Sequence, residues 1–283
     1  MSDTALLHQR QIDYWNGEGG SHWVERQAQT DAMLRPVTEA LLSRAAATAG
    51  SRILDIGCGC GETTSWLAEA VGPAGQVTGI DISAPMLAVA ADRLRPFPQA
   101  ATLLADAATH PLPAASADLI VSRFGVMFFG DPKAAFANLR RALRPDGRMV
   151  FACWRRFDEN GWAKLALTAA YGHVPRLPRM DPRDPGPFAF ADADYVRDIL
   201  DTAGFAATTL SPVDLKIAPL AGGTPAATAE QLIEIGPASR AMAGQPPEIV
   251  AAVMRDIETA LGPYHEPDGI RLPAAIWIVE AAA

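Results

Sequence analysis

From Arg52 to Trp154 the chain alternates short aliphatic runs with longer amphipathic stretches. The aliphatic runs have the length and composition of buried strands, at 52–57, 76–82, 102–106, 118–122 and 147–154. The stretches between them have helical periodicity, at 62–71, 84–95 and 132–143. Asp131 and Pro132 are suited to the N-cap and first position of the last helix. Strands that alternate with helices predict a parallel sheet covered by helices, with ligands at the carboxyl ends of the strands.

The regions before Arg52 and after Trp154 have a different pattern of apolar and polar residues. Residues 3–48 predict helices interrupted at 17–21, with an amphipathic helix over 31–47. Five prolines between 175 and 187 exclude a regular helix or inner strand, so 173–190 is predicted to be a long loop. The remaining segments predict helices at 192–203, 225–236 and 247–261 and strands at 204–210 and 271–281.

The composition of the chain argues against several classes of function. The 283 residues carry a formal net charge of -8 with no block of Lys or Arg, which argues against a nucleic-acid partner. Three cysteines are too few for a disulfide framework, and Cys58-x-Cys60 has the wrong spacing for zinc. The N-terminus lacks an apolar signal core, and no apolar run is long enough to span a bilayer. We expect a soluble cytoplasmic protein without a metal or a membrane partner.

The glycine-rich stretch ILDIGCGCGETT, at 53–64, restricts the choice of cofactor. A phosphate-binding loop needs Lys and Ser or Thr after its last glycine, where this chain has Glu62 and Thr63. The dinucleotide fingerprint needs glycine at position 62, and an acidic residue at that helix start would repel a pyrophosphate. S-adenosylmethionine has no phosphate and needs only a close approach of the backbone. Asp55, at the strand end, can face its ammonium group directly or through water.

Four motifs together resemble those of the class I S-adenosylmethionine-dependent methyltransferases: DIGCGCG (55–61), GIDIS (79–83), LLADA (103–107) and the stretch 118–154. The last stretch is similar to bacterial small-molecule methyltransferases related to those of ubiquinone and menaquinone biosynthesis. The resemblance covers residues 50–155. It implies an α/β, Rossmann-like sheet of seven mostly parallel strands with the last strand antiparallel, helices on both faces and an added helical lid.

The resemblance also implies roles for individual residues. Gly57 and Gly59 would pass under the methionine portion, Asp81 would accept hydrogen bonds from the ribose hydroxyls, and Asp106 would accept one from the adenine amino group. Asp81 follows Gly61 at the distance that one helix and one strand require. The alternatives are a helix cap for Asp81, although Ser83 could cap that helix, and a turn carboxylate for Asp106. The full cofactor set is Asp55, Gly57, Cys58, Gly59, Asp81, Ile82, Met86, Asp106, Ala107, Ser122, Trp15 and Trp23.

Two tryptophans in the N-terminal segment stand apart in that set. Such segments cap the cofactor in related enzymes, so Trp15 or Trp23 could cover the sulfonium through a cation–π contact. The alternative for both is ordinary packing between helices. Their placement relative to the glycine-rich stretch decides between the two interpretations.

The acceptor side is less determined by the sequence. The fourth strand is followed by three large apolar residues, Phe124, Met127 and Phe128. They either line the bottom of an apolar pocket or pack in the core. Arg123 either pairs with an acid on the acceptor or forms an internal ion pair. The histidines are scattered, and His173, at the mouth of the proline-rich loop, is the candidate for a catalytic base.

The chain lacks the motifs of nucleic-acid and metal-dependent methyltransferases, which favours a small organic acceptor. We expect transfer of a methyl group from S-adenosylmethionine to an O, N or C atom of an apolar small molecule, with S-adenosylhomocysteine as co-product. The alternatives are an NAD(P)-dependent oxidoreductase and a non-catalytic cofactor-binding module. The expected division is an N-terminal cap (1–48), a cofactor-binding core (49–156) and an acceptor lid with the last strands (157–283). The oligomeric state is open and allows a homodimer.

Overall fold

The computed structural model describes residues 3–178 and 181–283. Met1 and Ser2 of the expected cap, and Arg179 and Met180 of the expected loop, lie outside the described residues. The strands are β1 Arg52–Ile56, β2 Gln76–Asp81, β3 Ala100–Leu104, β4 Ala117–Arg123, β5 Leu143–Trp154, β6 Ala206–Ile217, β7 His265–Glu266, β8 Gly269–Ile270 and β9 Leu272–Ala282. The helices are α1 Asp3–Asn16, α2 Glu18–Glu25, α3 Gln27–Ala45, α4 Glu62–Val71, α5 Ala84–Leu94, α6 Pro132–Ala142, α7 Gly161–Ala170, α8 Ala193–Thr202, α9 Pro225–Ile233, α10 Gly236–Met242 and α11 Pro247–Leu261.

Seven strands form one sheet in the order β3-β2-β1-β4-β5-β9-β6. The pairs among β1 to β5 are parallel, whereas β9 runs antiparallel to both β5 and β6. The predicted sheet, including the antiparallel last strand, is therefore confirmed. Strands β7 and β8 form a separate two-stranded ribbon.

Helices cover both faces of the sheet. On β5, Arg148 donates from Nη1 to the carbonyl oxygen of Arg44 in α3 at 3.2 Å. Phe151, three residues further along β5, packs against Phe136 of α6 with ring centroids 5.5 Å apart. Because residues an odd number apart on a strand point to opposite faces, α3 and α6 lie on different sides of the sheet.

Three local predictions are wrong. The strand expected to start at 147 already starts at Leu143 in β5, whose pairing with β4 shifts register between Ala117 and Leu119 and so accommodates the extra residues. The break expected at 17–21 is a single residue, Gly17, because Gly19 and Gly20 are buried in α2. Helix α7 was not predicted, and the helix expected over 225–236 is divided between α9 and α10.

Along the described ranges 3–178 and 181–283, no helix combines the length and the apolar character needed to cross a membrane. The proline-rich part of the loop, from 175 to 187, contains neither helix nor strand among its described residues. Instead Gly186 N donates to Met127 O at 3.2 Å, which ties this loop to the segment that follows β4.

Candidate functional site

The order of the strands reverses between β1 and β4, which leaves a crevice beyond their carboxyl ends. Gly57 follows β1, and Gly125 follows β4 with one residue between. A Cβ built on Gly57 would lie 2.6 Å from the Cα of Gly125. The two loops therefore touch backbone to backbone at the point where open α/β sheets bind ligands.

The glycine turn after β1 needs glycine for conformation and for space. Gly57, Gly59 and Gly61 have φ of 68°, 54° and 80°, in the left-handed region that side chains disfavour. A Cβ on Gly59 would lie 2.8 Å from the end of Met86, and one on Gly61 would lie 3.0 Å from the Cβ of Ala90. The turn therefore packs against α5. Its three glycines have no side chains, so the backbone at these positions is not covered by side chains of the glycines themselves.

Asp55 lies in β1, two residues before Gly57, and is fully buried. Its Oδ2 accepts hydrogen bonds from the hydroxyls of Thr63 and Thr64, at 2.7 and 2.6 Å. Its Oδ1 is buried without a hydrogen-bond partner. Burial raises the pKa of Asp55, although the threonine hydrogen bonds and the charge of Arg123 act in the opposite direction. A buried carboxylate oxygen without a donor is costly, so the site fits a ligand that brings a cationic donor.

Asp81 ends β2 and faces the glycine turn. Its Oδ2 accepts from Gly59 N at 2.8 Å, and its Oδ1 accepts from Ser83 N at 2.9 Å. Burial raises the pKa of Asp81, while these backbone hydrogen bonds lower it. Ser83 does not cap α5 as expected, because its hydroxyl donates to Trp15 O at 2.6 Å. Each Asp81 oxygen retains a lone pair for a further donor such as a ribose hydroxyl.

Asp106 forms the turn that was the alternative to adenine binding. Its Oδ1 accepts from Ala108 N at 2.9 Å and its Oδ2 from the Thr109 hydroxyl at 2.6 Å. Nε2 of His8, in α1, lies 3.2 Å from the same Oδ2. Ala107 beside it is buried. The N-terminal helix thus reaches the end of β3, a contact that the sequence analysis did not anticipate.

The remaining residues of the cofactor set surround the turn or brace it. The hydroxyl of Ser122, fully buried at the end of β4, donates to Ile56 O at 2.7 Å and so fixes the start of the turn. Cys58 is buried, and burial raises the pKa of its thiol far above the ordinary value. Met86 is buried with its end near Gly59. Ile82 is half-buried, and its carbonyl accepts from Asn16 Nδ2 at 2.9 Å.

Arg123 makes the internal ion pair that was the alternative to acceptor binding. Its Nη1 bonds to Glu62 Oε2 and donates to the Thr38 hydroxyl at 2.7 Å. Its Nη2 lies 3.8 Å from Asp31, which also pairs with Arg93 at 2.6 Å. Arg123 is therefore corrected from an acceptor ligand to part of a buried charge cluster. Because Glu62 is neutralised there, its repulsion of a pyrophosphate is weaker than the sequence suggested.

The segment after β4 contains a strained aromatic residue. Phe124 has φ of 69°, a conformation that is rare for a bulky side chain and that is often found at functional sites. Its ring stacks on Trp154 with centroids 4.3 Å apart, and Trp154 contacts Trp162 at 5.1 Å. Trp162 stacks in turn on Phe188 of the proline-rich loop at 6.1 Å. These four rings, which we call the aromatic row, connect the end of β4 to the segment expected to form a lid.

The N-terminal segment, residues 6–25, lies over the carboxyl ends of the strands. Trp15 packs edge-on against Phe128 at 5.2 Å and against Trp23 at 6.0 Å. Nε1 of Trp23 lies 3.9 Å from a Cβ built on Gly59. Met127 is buried, and Phe128 is half-buried. The two tryptophans therefore combine helix packing with a position beside the glycine turn.

His173 contacts a group in the lid region. Its Nε2 lies 2.7 Å from Asp256 Oδ2 in α11, and its backbone N donates to Ala170 O at 2.9 Å. The Asp256 side chain is 58% exposed, so the pair faces solvent. These contacts do not join His173 to the glycine turn or to the aromatic row. In the part of the chain that is described, no group of three or more His, Cys, Asp and Glu side chains is arranged to hold a metal ion.

The comparisons with known proteins concern mainly the segment from β1 to β5. Residues 54–151, about a third of the chain, match the family described as Methyltransferase domain. Nocamycin O-methyltransferase of Saccharothrix syringae is 40% identical over 117 residues, which are 41% of this chain and 42% of that protein. Demethylmenaquinone methyltransferase of Lysinibacillus sphaericus (strain C3-41) is 35% identical over 101 residues, 36% of this chain and 43% of that protein. The matches span about two fifths of the length of these relatives.

Solved structures extend the likeness to most of the fold. The YcgJ protein of Bacillus subtilis superposes with a TM-score of 0.57 at 16% identity, over 87% of this chain and 97% of that one. Phosphoethanolamine N-methyltransferase 2 of Haemonchus contortus, solved with phosphomonomethylethanolamine and S-adenosylhomocysteine, gives 0.53 at 18% identity over 87% and 52%. At these identities the likeness shows the fold alone.

Residues 54–151 are therefore a methyltransferase domain. The expectations for family and enzyme class are confirmed for this domain, and S-adenosylmethionine is the cofactor expected for such a domain. Thr63, Thr64 and His8, which contact Asp55 and Asp106, were not among the predicted site residues. A pair of hydroxyls at the start of the helix after Asp55 was a usable signal for the threonines, whereas nothing local in the sequence connects His8 to Asp106.

Proposed function

We propose that the protein transfers a methyl group from S-adenosylmethionine to an O, N or C atom of an apolar small molecule. The observation that carries the proposal is the unpartnered Oδ1 of Asp55, fully buried beside a turn that contains three glycines. When bound there, the cofactor supplies a methyl group that is already activated. The residues of the site then need mainly to align the two substrates and exclude water.

Each end of the cofactor has a candidate partner. Asp55 Oδ1 would receive the ammonium group of the methionine portion, and Asp81 would accept from the ribose hydroxyls. Asp106 remains the candidate for the adenine amino group, where binding would compete with its contact to His8. Trp15 and Trp23 would cover the cofactor and exclude water. Together these residues favour S-adenosylmethionine over a dinucleotide, whose fingerprint would need glycine at Glu62.

The acceptor would lie between the end of β4 and the lid. Support comes from the position of the aromatic row, which joins the end of β4 to the proline-rich loop. Three of its rings are buried, and Phe188 is half-buried, so Phe188 is the ring of this row that an apolar acceptor would reach first. The names of the two relatives, a nocamycin O-methyltransferase and a demethylmenaquinone methyltransferase, support an acceptor of small-molecule size. Because the His173–Asp256 pair faces solvent and its contacts do not join it to the glycine turn, we propose alignment rather than a histidine base as the source of catalysis.

Binding and turnover test the proposal separately. Calorimetry with S-adenosylhomocysteine and with NADH should show binding of the first and none of the second. Incubation with S-adenosylmethionine and a panel of phenols, quinols and apolar amines should then release S-adenosylhomocysteine, measured by mass spectrometry, with one or a few of them. Binding of NADH alone would overturn the proposal in favour of an oxidoreductase. Binding of S-adenosylhomocysteine without turnover on any acceptor would favour a non-catalytic module.

The substitution Asp81→Ala tests the cofactor site. Loss of a charged hydrogen bond to the ribose should weaken S-adenosylhomocysteine binding by about 1–3 kcal/mol, measured by calorimetry. Asp146→Ala is the control, because Asp146 is exposed in the first part of β5, before the strand turns into the sheet interior. Equal affinities of the two variants would remove Asp81 from the site.

The location of the protein belongs to the proposal as well. The three cysteines are free and buried. Free thiols fit the reducing cytosol, where we place the protein. Its proposed partner is the small-molecule acceptor, with no nucleic acid, since the charge pattern offers no basic surface.

A further inference from the structure

We propose that Thr63 and Thr64 are positioning residues, which hold one oxygen of Asp55 and leave the other as the acceptor for the cofactor's ammonium group. The inference rests on the proposed function, because it presumes that the cofactor's amino acid end lies at Asp55. Its new content is the role of the two hydroxyls, which would act through Asp55 without touching the ligand.

The hydrogen bonds of the two threonines are unusual in number and direction. A hydroxyl carries one proton, and both Thr63 and Thr64 direct theirs to the same Oδ2 of Asp55. Threonine in a helix commonly donates instead to the carbonyl four residues earlier, as Thr38 does to Leu34 O at 3.3 Å. Both side chains are buried, so water does not replace either bond. The carboxylate is thereby fixed in rotation, and its donors are all on one side.

The neighbouring strand leaves space for this arrangement. Gly79 of β2 pairs with Asp55 across the sheet. A Cβ on Gly79 would lie 3.0 Å from the Thr64 hydroxyl oxygen and 2.8 Å from Cys58 Sγ. Glycine at this position therefore lets the hydroxyl of Thr64 reach under the carboxylate. The packing of three elements, β1, β2 and α4, therefore favours the same orientation of the Asp55 carboxylate.

The charges around Asp55 show what the threonines contribute. Arg123 from β4 favours the ionised carboxylate, whereas Asp81 from β2 disfavours it, and the Cys58 thiol stays protonated because its pKa is raised far above neutral. The two hydroxyls add hydrogen bonds that stabilise the anion against its burial. Without them, Asp55 would take up a proton at higher pH, and a protonated Asp55 cannot pair with an ammonium group.

The test compares two ligands and four variants by calorimetry. S-adenosylhomocysteine carries the amino acid end, whereas 5′-methylthioadenosine shares the nucleoside and thioether but lacks it. Thr64→Val, nearly equal in shape, should weaken S-adenosylhomocysteine about tenfold and leave methylthioadenosine unchanged. Thr63→Val should act in the same direction, and Thr64→Ser should restore affinity. Thr228→Val is the matched control, since Thr228 in α9 is a buried threonine whose hydroxyl has no partner among the described residues.

A pH series gives a second readout that a structural role would not move. The pH at which S-adenosylhomocysteine affinity falls to half should rise in Thr64→Val and return to the wild-type value in Thr64→Ser. Equal weakening of both ligands, or an unshifted pH dependence, would overturn the role of the threonines. If the wild-type protein does not bind S-adenosylhomocysteine, it is the proposed function that fails. Circular dichroism of each variant verifies that it is folded.

Discussion

The ionised side chain of Asp55 lowers the stability of the folded protein. Burial raises its pKa above the value of an unfolded chain, so the folded protein binds this proton more readily than the unfolded one. The ionised group therefore destabilises the fold at pH values above its raised pKa. That cost is relieved as the pH falls through the folded pKa. A ligand cation at Oδ1 would offset it at neutral pH.

Replacement of Asp55 by Asn tests this balance. Asp55→Asn should raise the free energy of unfolding of the ligand-free protein by about 1 kcal/mol at pH 8, because a buried charge disappears. The gain should shrink toward pH 5, and S-adenosylhomocysteine binding should weaken at both values. Urea denaturation at the two pH values and calorimetry measure these effects.

Asp118 is the control residue, because its pKa is shifted in the opposite direction to that of Asp55. Hydrogen bonds from Arg52 N and the Arg144 guanidinium lower the pKa of Asp118. A group whose pKa is lower in the folded protein stabilises the fold at pH values above its pKa in the unfolded chain. This stabilisation is lost as the pH falls through the pKa of the folded protein. Asp118→Asn should therefore destabilise the protein at pH 8. A destabilised Asp55→Asn variant at that pH would contradict the argument.

Site residues were predictable where the signal is local. Asp55, Gly57, Gly59 and Asp81 follow from a strand, a turn and a spacing, and the structure brings them together. Arg123 could not be assigned from the sequence, because its choice between a ligand and an ion pair depends on Asp31, far away in the chain. Contacts between distant segments are set by packing, which a single sequence does not display.

The elements of the central sheet followed from periodicity to within a few residues. β5 starts earlier than predicted because its first residues bulge beside β4 and keep the ladder despite Pro145. α7 was missed because its residues are apolar on most sides, so the pattern lacks the polar face that marks an amphipathic helix. The division of 157–283 into lid and last strands stays a prediction.

Two N-cap positions of the core are expected to behave differently. Asp131 caps α6 by accepting from Ala134 N at 3.1 Å, whereas Ser83 before α5 uses its hydroxyl to hold Trp15 O. Asp131→Ala should lower the free energy of unfolding by about 1 kcal/mol in urea denaturation. Ser83→Ala should instead speed hydrogen–deuterium exchange in the N-terminal segment. The same response from both variants would contradict the distinction.

At the scale of the molecule, the N-terminal segment lies across the carboxyl ends of the strands. It is tied to the strand ends by the Ser83–Trp15 bond, by Asn16 with Ile82 and Ala84, and by His8 with Asp106. Arg26, the residue that follows this segment, donates to Gln231 Oε1 at 2.8 Å and so links the end of α2 to α9. The segment therefore contacts both the core and the lid region, over the place proposed for the cofactor.

This arrangement predicts that the N-terminal segment opens for the cofactor and closes on it. Addition of S-adenosylhomocysteine should slow hydrogen–deuterium exchange of residues 6–25 several-fold, because a bound ligand adds contacts under Trp15 and Trp23. The amides of α11 serve as the internal reference and should not change. Exchange that is unaffected in the N-terminal segment while calorimetry reports binding would show that the ligand enters by another route.

The contact between Gly57 and Gly125 has a consequence for redesign of this protein. The loop that carries the cofactor turn and the loop that carries Phe124 and Met127 share a backbone contact with no side chain between them to absorb a displacement. A substitution that shifts the β4 loop to admit a new acceptor would therefore also disturb cofactor affinity. Changes of acceptor preference should be easier to obtain from the proline-rich loop. Among its described residues, Gly186 donates one hydrogen bond to Met127, and Phe188 packs on Trp162 through rings that can repack.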